Sequence, residues 1–316
     1  MALTNSEVLD NLNRISNALS LFGCMFVIVN YYLIYRRFLI NASDSIKVHH
    51  TSLLLLSINN AILSSGGLTY SLLNWKEIKV ICIFQGLHMT FFNLVNSLWG
   101  ACICLNVYLI LLPPESLLFL RRNITCKFML FSFGIPMVLM IPLVAQLNYI
   151  GNVGPWCWIL SDGLRMGIFY GWLLLSSFMC LCFLSLILLH LCRIRNTAAY
   201  AERKIHHPYE KMVGRYVLYV ITFFICWGPG VVSRVIQLSN PTFYNFPLMA
   251  VHTFMSASVS FWLSLVWGFT TSLSEVYVII WKHGWSNITP IQQFDSWSSA
   301  VTGLKGLDIP NVQESI

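Results

Sequence analysis

Seven long apolar stretches, separated by short polar segments, dominate the pattern of this chain. They cover residues 15–36, 51–75, 80–112, 127–147, 164–192, 214–238 and 247–270. An α-helix needs about 20 apolar residues to cross a hydrocarbon core about 30 Å thick, and each stretch reaches that length. Since a helix satisfies all its backbone donors and acceptors within one segment, the pattern predicts an all-α membrane protein built as a seven-transmembrane helix bundle.

The basic residues between the stretches predict the orientation of the bundle. Fourteen lie in alternate connections and in the tail, and only four lie in the remaining connections. Because cytoplasmic loops carry the excess of Lys and Arg, we expect a multi-pass plasma-membrane protein with the N-terminus outside and the C-terminus in the cytosol. The outer group consists of Arg14, Lys76, Lys79 and Arg165.

This topology divides the chain into a short extracellular N-terminus (1–14), the bundle (15–272), an interfacial helix (273–284) and a disordered cytoplasmic tail (285–316). Apolar residues after the seventh stretch recur with helical spacing, which predicts a short amphipathic helix along the inner membrane surface; they are Leu273, Val276, Tyr277, Ile280 and Trp281. Val278 and Ile279 interrupt its polar face, so a shifted seventh helix is the alternative. The tail is polar and rich in Ser, as disordered segments are.

Composition excludes several classes of protein. Charged residues make up 10% of the chain, against about 25% in soluble domains, and the net charge of +7 suits loops beside anionic lipid rather than nucleic acid. No Asp or Glu lies within the seven stretches, so the carboxylates of proton-coupled transporters are missing. The chain has no metal-binding, phosphate-binding or nucleophile motif. We therefore expect no catalytic activity, no metal and no cofactor.

Two of the ten cysteines fall on the predicted outer side. Cys82 opens the third stretch, and Cys157 lies in the loop before the fifth. An oxidising environment favours a disulfide between them, which would tie the outer loop to the top of the third helix. Two free outer thiols are the alternative.

The sixth stretch contains the sharpest local pattern, Cys226-Trp-Gly-Pro-Gly followed by Ser233-Arg234. Pro229 removes a backbone hydrogen bond, which predicts a kink. Trp227 lies beside the predicted kink and provides a bulky side chain that can pack against neighbouring helices. Trp227 and Pro229 thus form a candidate switch that connects an outer pocket with an inner docking face.

Arg234 is a cation near the outer end of an apolar helix. Its side chain either reaches the outer interface or turns inward to meet an anionic group. The inward alternative defines a candidate binding site for a small anionic ligand, which consists of His88, Arg165, Trp227, Arg234 and His252.

Three motifs resemble the cyclic-AMP-receptor-like (class E) G protein-coupled receptors. One is the sixth-stretch pattern from Cys226 to Arg234, and the others are Trp156-Cys157-Trp158-Ile159 and Cys82-x-x-Gln85-Gly86. The resemblance extends over residues 15 to 270. The Cys-Trp pair also occurs in secretin and adhesion receptors, so that pair alone does not distinguish these families.

The resemblance implies a receptor that transmits an extracellular ligand signal to a heterotrimeric G protein. Ligand would bias the sixth helix and open an inner cleft lined by arginines, namely Arg121, Arg122, Arg193, Arg195 and Arg215. The alternative of a different class is a seven-helix small-solute transporter or channel. A receptor-like scaffold without a ligand is a third possibility.

Overall fold

The computed structural model describes residues 4–35, 44–73, 78–112, 119, 122–153, 156–196, 207–240 and 245–270. Six helices in these ranges are long and apolar enough to cross a membrane, and a bent helix pair adds a seventh if it counts as one span. The prediction of a helical membrane protein with several spans is therefore confirmed.

The helices are labelled α1 to α7 in chain order. The first four are α1 (Asn5–Asn30, continued by a π-helical turn at Tyr31–Tyr35), α2 (Asp44–Leu73), α3 (Lys79–Leu111) and α4 (Ile124–Ala145). A 3-10 turn (Leu147–Tyr149) then leads into a hairpin of β1 (Ile150–Asn152) and β2 (Cys157–Ile159). The last three are α5 (Asp162–Arg165, a π-helical turn at Met166–Tyr170, then Gly171–Asn196), α6 (His207–Ser239) and α7 (Phe246–Ala257 followed by Val259–Thr270).

Helix α3 lies at the centre of the bundle. It packs against α2, α4, α5 and both strands, whereas α1 packs against α2 and α7. Its side chains at Leu94, Val95, Leu98 and Val107 are at most 1% exposed. The outward side of α4 is instead apolar and exposed at Leu130, as expected of a helix that faces lipid.

Helix α1 begins ten residues before the first apolar stretch. Thr4 caps it through a reciprocal pair of hydrogen bonds, because its side chain accepts from the Glu7 amide while the Glu7 carboxylate accepts from the Thr4 amide at 2.7 Å. Such a capping box satisfies two amides that the first turn of a helix leaves unpaired. The polar residues before position 15 therefore form the first turns of α1.

Helix α7 is bent by 51° at Ser258. The Ser258 hydroxyl donates to the carbonyl of Phe254 at 2.6 Å, a side-chain bond that competes with regular helix geometry. The Phe261 amide donates to Ser258, one residue short of the α-helical pattern. The carbonyl of Ala257 accepts instead from the Ser20 hydroxyl of α1, at 2.6 Å.

Helix α6 runs without a break past Pro229, so the kink expected there stays a prediction. The interfacial helix at 273–284, the tail at 285–316 and Arg121 lie outside the described residues. The hairpin is the one element that the expectation of an all-α bundle omitted within the described part of the chain. Its three-residue strands are too short to produce a recognisable alternating pattern.

Candidate functional site

The β1–β2 hairpin rests on one face of α3. The strands pair antiparallel, with Ile150 opposite Ile159 and Asn152 opposite Cys157. The α3 residues that hold the hairpin recur at helical spacing, and they are Cys82, Gln85, Gly86 and Thr90. A Cβ atom on Gly86 would stand 2.5 Å from the Ile150 side chain, so glycine is what allows the hairpin to approach α3 closely.

A disulfide joins Cys82 of α3 to Cys157 of β2. This is the pairing that the sequence predicts, and it spans 75 residues of chain. The amide of Cys157 also donates to the Gln85 side chain at 3.1 Å. In addition, the Trp158 indole donates to the Thr90 hydroxyl at 2.9 Å. Covalent and polar contacts therefore fix the hairpin to α3.

Arg165, at the start of α5, fastens the other side of the hairpin. Its guanidinium donates twice to the carbonyl of Ile159, at 2.6 and 3.0 Å, and pairs with Asp162 at 3.0 Å. Its Cζ atom lies 5.3 Å from the centre of the Trp158 ring. The two hydrogen bonds to Ile159 give this arginine a structural role at the hairpin.

Beneath the hairpin lies a cleft, here called the polar cavity, whose empty volume including its open mouth is about 700 Å³. Aromatic rings form part of its wall, namely Trp156, Trp158, Phe169 and Trp227. Apolar residues and glycine form a further part, namely Leu63, Gly67, Met89, Ala257 and Val259. Hydrogen-bonding side chains complete it, namely Asn13, Asn17, Asn60, Ser64, Asn93, His252, Ser256 and Ser260. No charged residue occurs among the lining residues that the structure describes.

His252 connects the two sides of this cavity. It belongs to α7, is 3% exposed, and meets the Trp156 ring edge-on with 6.0 Å between ring centres. Its Nδ1 atom is buried without a hydrogen-bond partner in the described structure. A Cβ atom on Gly230 would stand 2.6 Å from its Nε2 atom, so α6 also packs directly against this imidazole.

The five predicted ligand-binding residues do not form one cluster. Trp227 and His252 line the polar cavity. Arg165 and Arg234 lie around Trp158, and Arg234 donates to the Tyr170 hydroxyl at 3.3 Å and also pairs with Gln237. His88 packs among Tyr70, Phe84 and Phe92 and against Gly66 of α2, away from the cavity lining. The sequence indicated that these residues lie near the outer end of the bundle, but not which of them face the cavity.

The polar residues of α1 are the part of the site that sequence reasoning missed. Asn13, Ser16, Asn17 and Ser20 are all buried, and Asn13 and Asn17 line the cavity. Their spacing of i, i+3, i+4 and i+7 marks one face of a helix. That pattern was available in the sequence, but its first member, Asn13, falls in the segment before the first apolar stretch.

The arginines predicted to form an inner cleft are only partly described. Arg122 lies just before α4, and Arg193 lies near the end of α5, and both are exposed. Arg195 and Arg215 lie on α5 and α6, but the described structure does not include their side chains. The chain order places all four at the end of the bundle opposite the hairpin.

Comparison with known proteins identifies the family. The sequence model of the slime mold cyclic AMP receptor family matches residues 1–293. The chain belongs to this family. Similar proteins from Dictyostelium discoideum include cyclic AMP receptor 1, which is 27% identical over 62% of this chain and 48% of its own length. Cyclic AMP receptor-like protein C is 24% identical over 69% of this chain and 60% of its own length.

A third relative, cyclic AMP receptor-like protein A from the same organism, is 22% identical over 86% of this chain and 67% of its own length. The chain therefore spans about half to two thirds of the length of these relatives. The family is one of receptors rather than of enzymes, and membership of it confirms the resemblance that the sequence motifs indicate.

Proposed function

We propose that this chain is a seven-helix G protein-coupled receptor whose small extracellular ligand binds in the polar cavity. The two halves of α7 are taken as one bent span, and the bias of basic residues supports an N-terminus outside the plasma membrane. Membership of a family of cyclic AMP receptors supports the receptor class over a transporter or channel.

The observation that carries the proposal is the buried, unpartnered Nδ1 atom of His252 in the wall of the cavity. Leaving a buried polar group without a partner costs about 1–3 kcal/mol. A ligand that completes this hydrogen bond would offset that cost. The contact of His252 with Trp156 would carry the effect of the ligand to the hairpin, and its contact with Gly230 would carry it to α6.

The lining of the cavity suggests the chemistry of the ligand. Its aromatic rings suit a planar ring system, and its amides and hydroxyls suit a ligand rich in hydrogen-bonding groups. Arg234 lies 5.9 Å from the Trp158 ring and is the cation that would meet a negative group. A cyclic nucleotide combines these features, and the relatives are named for cyclic AMP, so cyclic AMP is the first ligand to test.

The opposite end of the bundle would contact the heterotrimeric G protein. Exposed Arg122 and Arg193, together with Arg121, Arg195 and Arg215, would give it a basic docking surface. Trp227 lines the polar cavity and belongs to α6. Movement of α6 at Trp227 and Pro229 would then connect ligand binding with the docking surface.

The test uses the full chain in lipid nanodiscs and measures nucleotide exchange on a purified G protein as cyclic AMP is added. Wild type should stimulate exchange, and Arg234→Gln should require a ten- to hundredfold higher concentration, because losing a charged hydrogen bond costs about 1.5–3 kcal/mol. Arg234→Lys should recover only part of this loss, since an ammonium cannot reproduce the guanidinium fork. Lys79→Gln, an exposed cation at the start of α3, is the matched control and should leave the response unchanged.

Three results would contradict parts of the proposal. Equal potency of wild type, Gln and Lys variants at matched receptor levels would exclude Arg234 from the ligand site. Solute flux through receptor-containing liposomes, without any nucleotide exchange, would favour a transporter. The three N-x-S/T sites are Asn41, Asn123 and Asn287, and all three fall on predicted cytosolic segments. Glycosylation at any of them would show that the orientation is the reverse of the proposed one.

A further inference from the structure

A second cavity, here called the apolar chamber, adjoins the polar cavity and shares Asn60, Trp227 and Val259 with it. Its empty volume including its open side is about 740 Å³. Side chains from five helices line it, and they include Leu53 and Leu56 of α2, Ile103 and Cys104 of α3, Cys180 of α5, Val220 and Phe223 of α6, and Leu263 of α7.

Three polar side chains at the edge of the chamber are hydrogen-bonded. The Asn96 amide donates to the Asn60 side chain at 2.6 Å, and Ser97 pairs with Ser176 of α5. Apart from Tyr219, the remaining described lining is almost entirely apolar. Water gains little in such a space, and apolar cavities in proteins stay dry and accept apolar molecules.

At Gly100, the absence of a side chain leaves part of the apolar chamber unfilled. Gly100 lines the chamber in the middle of α3, and a Cβ atom there would meet no atom within 4 Å. Gly66, Gly67 and Gly230 behave differently, because a Cβ atom on each would lie 2.4–2.6 Å from a neighbouring side chain. Those glycines allow close packing, whereas Gly100 borders on empty volume.

We propose that the apolar chamber is a binding site for a compact, uncharged apolar molecule that enters from the bilayer. The helices around it are candidate membrane spans, and the α5 and α6 residues beside its lining, such as Leu181 and Ile225, are exposed on the outside of the bundle. An occupant would touch Trp227, which the chamber shares with the polar cavity together with Asn60 and Val259. It would thereby oppose displacement of Trp227 into the chamber and regulate the receptor without occupying its ligand site.

Two cysteines on α3 provide an internal test. Cys104 lines the chamber and packs with Cys180. Cys102, two residues away, faces Ser132 of α4 at 3.5 Å and is not part of the chamber lining. All three thiols are free and buried. Ethylmercury chloride is a small apolar probe that converts S–H to S–Hg–ethyl and releases HCl, and soft thiol sulfur binds such metals well.

The full chain in nanodiscs is treated with this probe, and modification of each cysteine is followed by peptide mass spectrometry. We expect Cys104 and Cys180 to react faster than Cys102. Benzene, an unreactive competitor, at about ten times its dissociation constant should slow their modification about tenfold by mass action. The rate at Cys102 should not change. Equal rates at Cys102 and Cys104, or no competition by benzene at saturation, would overturn the proposal.

Filling the chamber provides an independent check. Gly100→Leu should protect Cys104 and Cys180, and Gly134→Leu, on α4 with open space around its Cβ position except for Leu130 at 3.8 Å, should not. If Gly100→Leu fails to fold, Gly100→Ala serves instead, since its methyl group meets no neighbouring atom. Ala should fold normally and weaken benzene competition. Unchanged labelling and competition in every folded Gly100 variant would contradict the chamber as the site.

Discussion

The two walls of the polar cavity are built in different ways. The hairpin wall is held by the Cys82–Cys157 disulfide, by side chains of α3, and by Arg165. The α7 wall, which includes Ser256, Ala257, Val259 and Ser260, is a helix bent by 51°. Helix α1 packs closely against α7 at Gly23, and the hydrogen bond given between them at this bend runs from the Ser20 hydroxyl to the Ala257 carbonyl.

The difference indicates which wall responds to a ligand. A native disulfide contributes about 2–5 kcal/mol, whereas a single neutral hydrogen bond contributes about 0.5–1.5 kcal/mol. The hairpin wall should therefore keep its position while α7 adjusts its bend. His252 belongs to α7 and touches Trp156 of the hairpin. Movement of one wall relative to the other would therefore change this contact.

The largest effect should follow loss of the disulfide. Cys82→Ser and Cys157→Ser should each lower the free energy of unfolding by about 2–5 kcal/mol, and the double variant should be little worse than either. Thermal unfolding of the purified receptor and its surface expression measure this. Cys24→Ser, which removes a buried free thiol, is the control and should have a much smaller effect. Strictly additive losses in the double variant would contradict a functional bond between these two cysteines.

The second-largest loss of stability should follow substitution of Arg165. Arg165→Gln removes the two donors to Ile159 and should cost about 1.5–3 kcal/mol, the range for hydrogen bonds to charged groups. Asp162→Asn removes only a partner whose side chain is 68% exposed, and exposed pairs contribute about 0–1 kcal/mol. Thermal unfolding of both variants tests the comparison. Equal destabilisation would mean that the ion pair, rather than the carbonyl contacts, holds the hairpin.

The contrast between the walls was only partly accessible from sequence. The disulfide could be predicted because Cys82 and Cys157 lie outside on the predicted topology, and the helices could be predicted from their length. The kink at Pro229 of α6 stays a prediction, and the bend at Ser258 of α7 was not expected from the sequence. Proline gives a clear signal for a kink, whereas the Ala257 carbonyl at the α7 bend accepts from a hydroxyl of α1 that is 237 residues away along the chain.

The cations show a second limit of sequence reasoning. Arg165 was predicted to bind ligand because it lies on the outer side, and that role stays a prediction; what the sequence did not reveal is that its contacts hold the hairpin together. A single sequence reveals that a charge lies near a membrane surface, but not which backbone carbonyls fold back to meet it. The buried Asn13 was missed for the converse reason, because a polar residue before an apolar stretch resembles part of a solvated terminus, and without Asn13 the polar face that continues to Asn17 was incomplete.

Gly230 tests the contact between α6 and the α7 wall. Gly230→Ala would place a methyl group 2.6 Å from the His252 ring, and inserting such a group into a packed core costs about 1–3 kcal/mol. Gly228→Ala is a close control, because its Cβ position is open within 4 Å on the same helix. We expect Gly230→Ala to lower the melting temperature and to weaken the response to ligand, and Gly228→Ala to do neither. Identical behaviour of the two variants would show that His252 has room to move away.

The smallest effect on stability, and the most specific one, should come from Ser20. Ser20→Ala leaves the Ala257 carbonyl without its partner on α1 and should cost about 0.5–1.5 kcal/mol. Ser16 is the matched control. It is buried on the same face of α1, but its hydroxyl donates to Leu12 within its own helix.

Hydrogen exchange distinguishes the effects of the Ser20 and Ser16 substitutions better than the free energy of unfolding does. If Ser20 holds the bend, amides from 256 to 262 should exchange faster in Ser20→Ala, while amides of the hairpin keep their protection, because local opening follows the weakest contacts. Ser16→Ala should change exchange in α1 alone. Faster exchange in the hairpin as well would show that the two walls move as one unit, and would remove the distinction between a fixed and an adjustable side of the cavity.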